Sequence, residues 1–133
     1  MTTTAETISL DQFVARPPRR VWEALTRPDQ LAAWWAPGDI APTVGHRFVL
    51  DMGGWGNIAC EVLEVVEPER LVYAFGDWTL TWRLVAEGTG TRVLLDHAGF
   101  DPDRPDHRFA FDNFGPGWRD TVLPRLASLV EQA

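Results

Sequence analysis

Apolar residues first recur at every second position. Ile8, Leu10 and Val14, with Gln12 between them, mark an extended strand. Pro17-Pro18 ends that run and suits the first turn of a helix, where proline has no helical amide bond to lose. Val21, Trp22 and Leu25 then follow helical spacing. Pro28 opens a second short helix with Leu31, Trp34 and Trp35 at i, i+3 and i+4, and Pro37-Gly38 stops it. From Gly45 the period returns to two. Phe48, Leu50 and Met52 alternate, the turn MGGWGN follows, and residues 58–66 make a strand that Pro68 breaks. Residues 71–75 form the next strand, Gly76-Asp77 turns into an alternating run over 78–84, and Gly88-Thr89-Gly90 turns into Val93, Leu95 and His97. Five strands in succession at short spacing favour an antiparallel meander.

A loop over 99–107 leads to the last element. There Trp118, Val122, Leu126, Leu129 and Val130 stand at i, i+4, i+8, i+11 and i+12, one face of a long helix. Pro124 lies within it. An interior proline removes the donor to the Asp120 carbonyl and costs about 3 kcal/mol unless the helix bends. The spacing therefore predicts a kink near Asp120 or a helix in two pieces. The order β, α, α, five or six β, long α is an α+β fold with its helices on one side of the sheet. At 133 residues the chain reads as one domain over 1–133.

Four stretches together carry a family likeness: PPRRVWEALTRPDQLAAWWAPG, EVLEVVEPERLVYAF, GTGTRVLLDHAGF and a late Gly117-Trp118. In this order and spacing they resemble the START-like (SRPBCC) superfamily, in particular the branch named for activators of a heat-shock protein's ATPase. The resemblance runs from about Ile8 to about Val130. It implies a helix-grip fold: a curved antiparallel sheet of about six strands wrapped around a long C-terminal helix, with two short helices after the first strand. It also implies a cavity between sheet and helix.

Composition narrows the partners. The net charge is −7, from 12 basic and 19 acidic residues, with no Lys/Arg cluster, which opposes nucleic acid and anionic membranes. Cys60 is the single cysteine and cannot form an internal disulfide. The first ten residues, MTTTAETISL, have neither a basic nor an apolar targeting region, and no apolar run approaches a membrane span, so a cytoplasmic protein is expected. His46, His97 and His107 lack ligand spacing, and no metal or cofactor is implied. The acidic loop DPDRPD lacks the glycine of a calcium loop and reads as solvated. GGWGN has no lysine or helix pattern for phosphate.

Candidate site residues follow from strand parity. Trp78, Leu80, Trp82 and Leu84 share a face, as do Val93, Leu95 and His97; Phe48, Leu50, Met52, Leu71, Tyr73 and Phe75 join the layer, with Trp118 and Val122 opposite on the helix. Seven Trp and seven Phe against one Tyr make such a layer bulky, and large indoles rarely interlock without gaps. The expected ligand lining is Trp34, Phe48, Leu50, Tyr73, Trp78, Trp82, Leu95, His97, Trp118 and Val122. The adjacent indoles of Trp34 and Trp35 should diverge by about 100° on a helix, with Trp35 in the core and Trp34 at the cavity mouth, or the two exchanged. His97 should be buried, either bonded for structure, contacting ligand or acting as an acid/base. Asp96 faces the other way, and Glu61 and Glu64 should point to opposite faces, where one could reach the cavity although an exposed carboxylate is the usual outcome.

With no catalytic motif, the expected activity is non-enzymatic binding of a small apolar or aromatic molecule. A cyclase or dehydratase using the same cavity is the alternative, and a chaperone-contacting interaction module is another. The oligomeric state stays open between monomer and homodimer.

Overall fold

The computed structural model describes residues 6–132; the first five residues, read above for targeting, and Ala133 lie outside the description. Strand β1 (Glu6–Val14) leads into helices α1 (Pro18–Thr26) and α2 (Pro28–Trp34). Strands β2 (Arg47–Asp51), β3 (Asn57–Val66), β4 (Arg70–Phe75), β5 (Trp78–Glu87) and β6 (Gly90–Phe100) follow. They pair antiparallel in the order β1-β6-β5-β4-β3-β2. The meander is the one that the turn signals indicate, and β1 closes it by lying against β6, with Leu10 opposite Leu95 and Ile8 opposite His97. This is the helix-grip arrangement.

Alternation places one face of every strand under the helices. Phe48 and Leu50, Cys60 and Val62, Leu71, Tyr73 and Phe75, Leu80, Trp82 and Leu84, and Val93, Leu95 and His97 are all buried. In β3 the pattern breaks. The register slips between Val62 and Glu64, so Leu63 is an extra residue and the parity reverses beyond it. Glu61 and Glu64 consequently both stand on the outer face, paired with Arg47 and Arg70, instead of on opposite faces. Neither carboxylate reaches the interior.

The last helix begins earlier than its apolar pattern indicates. It runs as α3 (Pro105–Gly117), one π-helical turn (Trp118–Val122) and α4 (Leu123–Gln132), 28 residues without a gap. His107 anchors its start: Nδ1 accepts the Asp101 amide at 3.0 Å, and Nε2 lies 3.3 Å from the Asp77 carboxylate in the β4–β5 turn. At the far end the Ala15 amide and the Arg16 guanidinium donate to the Glu131 carboxylate and carbonyl.

Pro124 affects the helix as its chemistry requires, though by widening rather than by breaking it. The Leu123 amide reaches back five residues to Trp118, not four. The extra residue shifts the buried stripe. Trp118 is followed on the inner face by Leu123, Leu126, Ala127 and Val130, while Val122 and Leu129 are only half-buried.

Gly38 shows how closely the α2–β2 connection is drawn onto the sheet. A Cβ there would lie 2.5 Å from Leu50 Cδ2 and 2.7 Å from the Val49 carbonyl, so only glycine fits without backbone movement.

Trp82 is the best test of the packing, because it is fully buried under both α2 and the π turn. Trp82→Ala should lower stability by about 3–5 kcal/mol in a urea titration.

Candidate functional site

Four indoles form a closed ring between sheet and helix. Trp34 lies 5.8 Å from Trp35, Trp35 4.9 Å from Trp118, Trp118 5.7 Å from Trp82, and Trp82 5.8 Å from Trp34. Three of the four satisfy their N–H inside the protein. Trp34 donates to the Ala24 carbonyl at 2.8 Å, Trp82 to the Tyr73 hydroxyl at 3.2 Å, and Trp118 to His97 Nδ1 at 3.1 Å. Trp35 faces outward.

The adjacent pair is thus the reverse of the expected assignment: Trp34 is core, and Trp35 lines the mouth of a pocket. The reason is local. Helix α2 ends at Trp34, and Trp35 has φ −132° and ψ −80°, so helical geometry no longer sets its direction. The two rings stack within 28° of parallel instead of diverging.

The pocket measures about 190 Å³ and is lined by Trp35, Met52, Trp55, Asn113, Phe114, Gly117, Trp118 and Val122. It lies at the open end of the grip, between α3, the π turn and the Gly53–Trp55 turn. No ionisable side chain lines it. A larger groove of about 370 Å³ bounded by Glu69, Arg70, Arg83 and Val85 is shallow and carries charged groups along its wall.

Of the expected lining, Trp118 and Val122 border this pocket. Phe48, Leu50, Tyr73, Trp82 and Leu95 are buried beneath the indole ring and do not border it, and neither does Trp34. The centre of the grip is filled, because aromatic rings in edge-to-face contact use the space an open cavity would need. Trp55, Asn113, Phe114 and Gly117 were not among the expected lining residues, and Met52 was expected in the inward layer but not in the lining. An indole in a glycine-rich turn was the one signal for Trp55; Asn113, Phe114 and Gly117 precede the periodic part of the last helix.

His97 and Trp78 lie behind one wall of the pocket. His97 is completely buried, as strand parity implies, among the rings of Phe75, Trp78, Phe100, Phe114 and Trp118. With Nδ1 accepting from Trp118, the neutral ring carries its proton on Nε2. That Nε2 and the Nε1 of Trp78 are both buried without a partner. Desolvation lowers the His97 pKa from 6.5 to about 3, so the ring is neutral across the physiological range. Burial likewise holds the Tyr73 phenol far above its usual range and pushes the Cys60 thiol up to about 12. These groups are poor acids, bases and nucleophiles where they stand.

The burial of His97 predicts an acid limb in stability. The folded state keeps the ring neutral, while an unfolded histidine protonates below about 6.5. Its stabilising contribution is complete above that pH and falls by roughly 1 kcal/mol per unit as pH drops toward about 3. Urea titrations between pH 7 and 4 should show this slope, and His97→Gln should flatten it.

Comparison with known proteins agrees with the architecture. The model of the family described as activator of Hsp90 ATPase homolog 1-like protein matches residues 15–131. Protein MLL2253 of Mesorhizobium loti is 30% identical at TM-score 0.80, over 96% of this chain and 95% of that one. Protein BH1534 of Bacillus halodurans is 26% identical at TM-score 0.85, over 98% and 100%. DynU16, a protein in the dynemicin biosynthetic locus, is 27% identical at TM-score 0.78, over 94% of this chain and 47% of that one. No match was found among curated proteins. Among the described residues, no helix is long and apolar enough to cross a membrane.

Proposed function

The chain belongs to the activator of Hsp90 ATPase homolog 1-like family, within the START-like (SRPBCC) superfamily, and we propose that it binds a small, largely apolar molecule in the pocket at the open end of the grip. The observation that carries this reading is the lining: three indoles, a phenylalanine, a methionine and a valine converge there around a single polar side chain, Asn113. Apolar walls with few polar groups are the usual composition of a small-molecule site. At about 190 Å³ the pocket is smaller than the ~300–1,000 Å³ typical of drug-sized ligands, which favours a body of about two fused rings. The likeness to DynU16, a protein in a biosynthetic locus, fits a role in handling a small organic molecule.

Binding without chemistry is the better reading than cyclisation or dehydration. Those reactions need an acid or base within about 3 Å of the reacting atom. His97 and Tyr73 are buried behind the lining, and the shifts caused by burial weaken both as proton carriers at neutral pH.

Gly117 provides the test. Its backbone is helical, with φ −60° and ψ −48°, and a Cβ built there meets nothing within 4 Å. Gly117→Leu should therefore fold, gain up to about 1 kcal/mol of helix propensity, and fill the pocket with its own side chain. Naphthalene-sized probes should change the intrinsic fluorescence of the wild-type protein and leave that of Gly117→Leu unchanged. Equal responses from the two proteins would overturn the assignment of the pocket.

A further inference from the structure

Two buried donors without acceptors stand behind Phe114, and the pocket lies in front of it. His97 Nε2–H and Trp78 Nε1–H belong to rings whose centroids are 5.5 Å apart. Phe114 contacts both, at 5.0 Å and 5.7 Å, while it stacks on Trp55 at 4.5 Å and lines the pocket. It is the partition between them. An unpaired buried N–H costs about 1–3 kcal/mol, so two together in one aromatic nest need an explanation.

We propose that the bound molecule carries a neutral carbonyl oxygen, and that His97 and Trp78 both donate to it when Phe114 turns aside. The inference rests on the binding reading above and names the chemistry its ligand must have. A carbonyl oxygen has two lone pairs for two donors. A carboxylate would pay heavily for desolvation in a nest of neutral rings, and the net charge of −7 repels anions at a distance.

The chain around Phe114 permits the movement. Gly115, Pro116 and Gly117 follow it directly, two residues of low helix propensity flanking one that lacks an amide donor, and the π turn begins at Trp118. Its stacking partner Trp55 is 40% exposed on a turn flanked by Gly53, Gly54 and Gly56. The same site also explains why Trp118 lines the pocket while bonding His97 Nδ1. That bond keeps the imidazole proton on Nε2, the nitrogen that has no partner within the protein.

A matched pair of probes tests the proposal: 2-acetylnaphthalene and 2-ethylnaphthalene, which differ in a carbonyl against a methylene. The ketone should bind about tenfold tighter or better. In ¹⁵N–¹H spectra of the wild-type protein, the Trp78 indole and His97 Nε2–H signals should move downfield with the ketone alone. Trp78→Phe should lose most of the ketone's advantage. Equal affinity for the two probes, or a bound ketone that leaves both N–H signals unmoved, would overturn the acceptor site while leaving an apolar pocket intact. Binding of neither probe to the folded protein would overturn both readings. The wild-type spectra decide the matter even if Trp78→Phe does not fold.

Discussion

A single hydrogen bond ties the chemistry of this protein to its architecture: Trp118 Nε1–H to His97 Nδ1, 3.1 Å, wholly buried. It runs from the irregular turn of the long helix to the inner face of β6. It fixes which imidazole nitrogen holds the proton, and so makes the other nitrogen a donor with nothing to donate to. It also orients the Trp118 indole so that one face closes the core and another borders the pocket. The helix position, the tautomer of His97 and the shape of the pocket wall all depend on it.

The pocket owes part of its space to Gly117, the one glycine in its lining, where a Cβ would meet nothing within 4 Å. Gly53, Gly54 and Gly56 flank Trp55 in the turn on one side, and Gly117 lies within the helix on the other. Elsewhere the grip is filled by rings whose polar atoms are mostly paired within it. That distribution separates stability from binding: Trp34 and Trp82 hold the sheet to the helices, while Trp35 is half-buried and Trp55 is 40% exposed. The Tyr73 hydroxyl, the Cys60 thiol and the His97 imidazole are held in their neutral forms by the same packing.

Much of the fold was legible because periodicity reports burial directly. Alternation in β5 and β6 identified the inner face residue by residue, down to the burial of His97, and Pro17-Pro18, Pro28 and Pro68 marked where strands and helices give way to one another. The site was harder to read. A one-residue bulge at Leu63 reversed parity in β3 and sent Glu64 outward, and no composition signal announces a bulge. The π turn did the same in the helix, moving the inner face from Val122 to Leu123, although Pro124 had indicated the place. Trp34 and Trp35 were exchanged because the helix stops between them, and a wheel drawn through both assumes that it continues. Phe114 and Trp55 line the pocket from segments without periodicity, where a pattern has nothing to report.

The closed ring of Trp34, Trp35, Trp118 and Trp82 has a spectroscopic consequence. With centroids about 5 to 6 Å apart around the whole circuit, the four chromophores do not absorb or emit independently. Their transition dipoles couple, and coupling of the intense far-ultraviolet indole band gives circular dichroism of paired, opposite-signed lobes rather than a sum of separate tryptophans. Excitation absorbed by any one of them is shared among all four. The fold therefore carries an optical signature of its own closure, one that weakens when a single member of the ring is lost, because two of the four neighbouring pairs go with it.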